Sequence, residues 1–145
     1  MTVTMGPDLD VRDLTLPLTV LNGDDKNHIV LKRLVRPAWP GELSKAEEDE
    51  SDQTFLQAGG SAEAMTLEMR VESKGGGYTQ FIVGLPFSGD QHGAEMVSIA
   101  VGKYRYDVLP NEVFNAKQAG DVMIYYFEHD TVPPGYTLRE LIRTV

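Results

Sequence analysis

The chain of 145 residues contains no cysteine, which excludes disulfides, thiolate nucleophiles and Cys-ligated zinc or iron–sulfur centres. Any metal would have to be held by histidine, aspartate and glutamate. Basic residues are scarce as well: 13 Lys and Arg stand against 22 Asp and Glu, for a formal net charge of −9. No cluster of Lys and Arg forms the positive footprint that phosphate backbones require, so nucleic acid is not expected as a partner. A run of about 18 apolar residues is also missing, and with it any expectation of a membrane partner. The opening MTVTMGPDLDVRD has neither the basic nor the apolar segment of an export signal, so the cytoplasm, or incorporation in a particle, is the expected location.

Several catalytic signatures are absent too. There is no G-x-S-x-G, no H-E-x-x-H, no EF-hand ladder and no N-glycosylation acceptor. The glycine-rich KGGGY at 74–78 lacks the Lys-Ser/Thr of a phosphate loop and reads as a hairpin turn. No cofactor is expected, and the balance is against an enzyme.

What is present is the composition of one packed domain. Hydrophobic residues make up 41% of the chain and 14 glycines and 8 prolines punctuate it, which fits a turn-rich globular unit over 1–145. A chain of this length buries about 70% of its unfolded surface. Residues 1–12 read as a flexible arm. LTLPLTVL, 14–21, reads as a strand with Pro17 at an edge or bulge, NGDDKN as a turn and HIVLKRLVR, 28–36, as the returning strand. The sheet edge left by that hairpin is the reason to expect a homo-oligomer.

PAWPG then sets the only tryptophan, Trp39, between two prolines. Residues 40–63 read as an acidic, Gly/Ala-rich mobile insertion, whose core is Glu42, Glu47, Glu48, Asp49, Glu50 and Asp52 against a single Lys45. A short exposed helix or a mobile loop both suit it, because little in it is apolar enough to offset the entropy of ordering.

From Met65 the pattern sharpens. MTLEMRVE, 65–72, alternates apolar and polar as a half-buried strand should. SKGGG is a turn, YTQFIVGLPF, 78–87, the next strand, and MVSIAV with YRYDVL, 96–101 and 104–109, a second hairpin about Gly102-Lys103. NEVFNAKQAG, 111–120, has helical spacing with Gly120 as a C-cap, VMIYYF, 122–127, reads as a central strand, and Thr137-x-x-Glu140 is the capping box of a closing helix. The sum is a mainly β, β-rich α+β fold: an antiparallel barrel or sandwich of about seven strands with one to three short helices.

Four features raise functional questions. Glu128-His129-Asp130 follows VMIYYF, and in a strand the three would alternate between faces, so they read as the point where a buried strand meets water. Asp90 and His92 form a D-x-H pair in a polar loop, an alternative ligand or metal site, and a zinc site would need His28, His92 and His129 gathered from distant segments. Tyr104, Tyr106 and Val108 share one face and read as core, since the charge balance argues against base stacking. The acidic tract with Trp39 reads as a partner-binding surface.

The expected function is therefore that of a non-catalytic acidic domain that binds another protein, possessing an inhibitor, accessory-subunit or assembly role such as that of a virion structural component. A basic partner suits the charge. The competing expectation is a small-ligand-binding β-barrel or a metal-assisted enzyme using Asp90 and His92.

Overall fold

The computed structural model describes residues 2–3, 10–91 and 93–141. Its elements run β1 (Thr2–Val3), α1 (Val11–Thr15), β2 (His28–Leu31), α2 (Lys45–Ser51), β3 (Phe55–Gly60), β4 (Met65–Glu72), β5 (Tyr78–Gly84), β6 (Val97–Val101), β7 (Tyr104–Val108), α3 (Ala116–His129) and β8 (Thr137–Glu140). Two 3₁₀ turns, Leu16–Val20 and Pro110–Glu112, join them.

The alternation in 65–72 places β4 at the centre of a six-stranded sheet of order β1-β2-β3-β4-β5-β8. Strands β2 to β5 and β8 pair antiparallel, while β1 lies parallel to β2. Register puts Ile29, Ala58, Leu67 and Val83 in one row and Leu31, Leu56 and Met69 in the next. That face is closed by Leu14, Leu18, Val122, Met123 and Tyr126 from the helical segments and by Phe114, which forms a bridge to Met65. Over the opposite face lies the separate β6–β7 hairpin, with Ile99 and Val108 packed on Ile82. The fold is thus β-rich α+β with seven antiparallel strands and three helices, and no barrel closes among the described residues.

Residues 14–21 form no strand. Leu14, Leu18 and Leu21 recur at helical spacing, and they are buried along α1 and the 3₁₀ turn, where Pro17 takes an early position that needs no backbone donor. The predicted hairpin with 28–36 therefore does not exist, and β2 pairs with β3 instead. Pro17 blunts no sheet edge. Ala58-Gly59-Gly60, within the 40–63 stretch expected as a mobile insertion, belong to β3, and their small size admits the hairpin above: a Cβ on Gly59 would stand 3.3 Å from Val101 Cγ2.

VMIYYF is helical, not a strand. The side chain of Asn115 accepts the Gln118 N–H at 2.9 Å while Gln118 returns a bond to the Asn115 N–H, a capping box that starts α3 later than the sequence pattern suggests. From there Ala119, Val122, Met123 and Tyr126 fall on one buried face at the i, i+3, i+4, i+7 spacing of a helix. Gly120 does not end the helix. It lies within α3, where a Cβ would stand 3.2 Å from Thr15 Cγ2, so its bareness lets α1 and α3 approach.

The C-terminal helix is likewise replaced by a strand. Thr137 to Glu140 add to β5 in register, with Val83 opposite Leu138 and Ile82 opposite Arg139. Thr137 Oγ1 accepts from Asn111 Nδ2 at 3.0 Å, and the carboxylate of Glu112 holds Arg139. These contacts come from distant residues, so the local capping motif is overridden by sheet pairing. The rest of the predicted closing helix, residues 142–145, lies outside the described residues.

Candidate functional site

The acidic tract takes the helical of its two expected forms. Ser44 caps α2 by accepting the Glu47 N–H at 3.1 Å, and Glu47 accepts the Ser44 N–H at 3.0 Å. Tethers hold it to the chain before it. Arg36 Nε donates to Glu47 Oε2 at 2.6 Å, Lys32 pairs with Asp52, and the buried Ser51 hydroxyl accepts the Val35 N–H at 3.1 Å. Glu47 is consequently held down to about 2 by the Arg36 guanidinium and by its bond to the Ser44 backbone. Glu48, Asp49 and Glu50 remain exposed on the outer side.

Trp39 precedes this helix in the chain and is 77% exposed, more than any other large apolar side chain among the described residues. Its loop is pinned: the Trp39 N–H donates to Glu42 Oε2 at 3.1 Å, the Glu42 N–H donates to the Trp39 carbonyl at 3.0 Å, and Arg36 Nη2 donates to the Glu42 carbonyl at 3.2 Å. An indole so held projects into water. Every residue of the predicted partner surface, Trp39, Glu42, Glu47, Glu48, Asp49, Glu50 and Asp52, belongs to this one continuous stretch, and the contacts with Arg36 and Lys32 fold it back onto the end of β2.

A second site, which the sequence pattern hid, is a groove of about 450 Å³ between the large sheet and the β6–β7 hairpin. Its floor is Gln57, Gly59, Thr66 and Glu68 from β3 and β4, with Asn27 and His28 at one end and Lys103, Tyr104 and Tyr106 as the hairpin wall. Tyr104 and Tyr106 are not core, as their row had suggested. Val108 is 2% exposed, but the two tyrosines are 58% and 46% exposed and line the groove. Gln57 and Gln80 both donate to Glu68 Oε2, the latter at 2.9 Å. The Lys103 ammonium sits 5.2 Å from the centre of the Tyr104 ring.

Glu128, His129 and Asp130 end α3, so they mark a helix terminus and not the exit of a strand. Asp130 adopts the left-handed conformation, φ 58°, that closes many helices. Arg33 binds it there at 2.9 Å and also donates to the Phe127 carbonyl at 2.9 Å, a basic group where the helix dipole favours one. His129 leans on Tyr125, with ring centres 4.2 Å apart, and lies 3.8 Å from Glu128. Nearby, burial pushes the Tyr126 hydroxyl up to about 12, with Asp130 adding to the shift and Arg33 opposing it. Asp90 is exposed, and His92 lies outside the described residues. Among the described residues no group of three His, Asp or Glu side chains is placed to hold a metal, and no helix is long and apolar enough to cross a membrane.

The chain matches no protein-family model, no curated protein and no solved structure.

Proposed function

We propose that this is a non-catalytic domain that binds a basic protein, with Trp39 as the apolar anchor and the exposed carboxylates of α2 as the charged rim. The observation that carries the reading is the exposure of Trp39 on a loop fixed by hydrogen bonds. Exposed indoles of this kind are over-represented among the residues that dominate interface energies, and a pinned loop gives up little conformational entropy on association. Glu48, Asp49 and Glu50, in a chain of net charge −9, supply the complementary field for a basic partner. Such a domain suits an inhibitor, an accessory subunit or a component of an assembly, acting in the cytoplasm or within a particle.

The test begins with affinity capture on the wild-type protein and identification of what is retained. The purified partner is then titrated against the wild type, Trp39→Ala, and a variant with Glu48→Gln, Asp49→Asn and Glu50→Gln. Trp39→Ala is expected to weaken binding by about 2 kcal/mol, roughly thirtyfold, and the neutralised variant to flatten the salt dependence of association. Wild-type affinity and salt dependence in both variants would defeat the reading.

A further inference from the structure

The groove under the β6–β7 hairpin has a different chemistry from the Trp39 surface. Its volume, about 450 Å³, falls in the range of small-molecule sites. Tyr104 and Tyr106 lie on the same side of the hairpin as Ile99 and Val101, the side that packs toward the sheet, yet both keep large exposed areas over Gly59 and Thr66. A flat apolar surface therefore overhangs open space. Across from it, the carboxylate of Glu68 is held by two side-chain amides on the same oxygen, Oε2, so its orientation is set before any ligand arrives. Oε1 accepts from neither amide.

The formal charges lining the groove, Glu68 and Lys103, cancel, and the Lys103 ammonium already rests against the Tyr104 ring. The remaining polar groups are the amides of Asn27 and Gln57, the hydroxyls of Thr66, Tyr104 and Tyr106, and the imidazole of His28. A net anion or cation would meet no excess of opposite charge. An added peptide strand would find the backbone groups of the floor already paired between β2, β3 and β4. What remains is a compact neutral ligand with one C–H-rich face for the tyrosines and several hydroxyls for the fixed carboxylate and amides. We infer that the groove binds a neutral polyhydroxylated ligand of mono- or disaccharide size, stacked on Tyr104 and Tyr106 and hydrogen-bonded by Gln57, Thr66 and Glu68.

The probes are methyl glycosides of glucose, galactose, mannose and N-acetylglucosamine, the disaccharides maltose and cellobiose, and, as charged arms, glucose 6-phosphate and glucosamine. Each is titrated into the ¹⁵N-labelled full chain and followed by amide chemical shifts. At least one neutral probe is expected to saturate, with shifts centred on Gly59, Thr66 and Gly102. Tyr106→Ala and Glu68→Gln, each checked for an unchanged melting temperature, should weaken that probe by about tenfold, while Trp39→Ala stays within about twofold of wild type. The Trp39→Ala arm separates this groove from the partner surface. If no neutral probe shifts the groove amides by about 50 mM, or if a charged sugar binds in preference and depends on Lys103, the inference is overturned.

Discussion

Glu112, 1% exposed, holds Arg139 through both carboxylate oxygens, with Nη2 donating to Oε1 at 2.8 Å and Nε to Oε2 at 2.9 Å. The Leu109 N–H adds a third donor to Oε1 at 2.7 Å. This fork ties the turn after β7 to the edge strand β8, two segments 27 residues apart in sequence, and the carboxylate raises the guanidinium above its ordinary range.

Removing the cation should expose how much β8 depends on it. Arg139→Ala leaves a buried carboxylate with only a backbone donor, and breaking a fully buried pair costs ~3 to 5 kcal/mol. Because the Arg139 side chain is itself 40% exposed, the loss is expected at or below the lower end of that range. Urea unfolding measures it, and amide exchange should rise first along β8. A stability within about 0.5 kcal/mol of wild type would show that the fork is ornamental to the fold.

Helical placement of VMIYYF reverses which of its residues should matter. Met123 is fully buried against the sheet, whereas Phe127 is 36% exposed on the outer side of α3. Met123→Ala is expected to cost ~2 to 5 kcal/mol through lost burial and a cavity, and Phe127→Ala well under half of that. A strand buried on both faces would instead make Phe127→Ala costly, so unfolding of the two variants distinguishes the arrangements.

The same residues show which parts of the fold were legible in the sequence. Strands β4 to β7 followed from period-two alternation and glycine turns, because in an antiparallel hairpin the signal is local. In α3 the β-favouring Tyr125 and Phe127 outweighed the helical register Ala119, Val122, Met123, Tyr126, which becomes plain only once Asn115 is taken as the cap. Leu14, Leu18 and Leu21 offered a helical period that Pro17 and the neighbouring threonines disguised. β8 could not be read locally at all, since Asn111, Glu112 and β5 hold it from elsewhere in the chain. The groove was hidden for a related reason: the row Tyr104, Tyr106, Val108 looks like core until the small residues of the facing strands are known.

Gly60 offers a test of how tightly the β3–β4 turn closes. Its φ is +133°, and an added Cβ would stand 2.5 Å from the Ala64 carbonyl oxygen and 2.9 Å from the Met65 Cα. Both are backbone atoms that no rotamer change can move aside. Gly60→Ala should therefore destabilise the protein by more than ~1 kcal/mol and disturb the β3–β4 turn, visible as amide shifts at Ala64 and Met65. Gly75→Ala, where nothing lies within 4 Å, serves as the control and should be close to neutral. Equal effects of the two would refute the close contact.

Acid should loosen the acidic helix before it unfolds the sheet. Glu47 titrates at about 2 in the folded chain against an ordinary 4.5, with the Arg36 hydrogen bond as the largest cause. A carboxylate depressed by folding contributes stability that is fully present above its unfolded value and is lost as pH falls through the interval between 4.5 and about 2. The Arg36–Glu47 contact should accordingly weaken across that window, freeing the Ser44 cap and then the Ser51 contact to Val35. Carboxyl chemical shifts report the Glu47 titration directly, and amide exchange at Val35 and Glu47 reports the loosening. Glu47→Gln removes the titrating group, so the variant should show faster exchange at neutral pH and little further change between pH 4.5 and 2. An ordinary Glu47 titration, or an unchanged acid response in Glu47→Gln, would mean that the Arg36 tether does not hold α2 in solution.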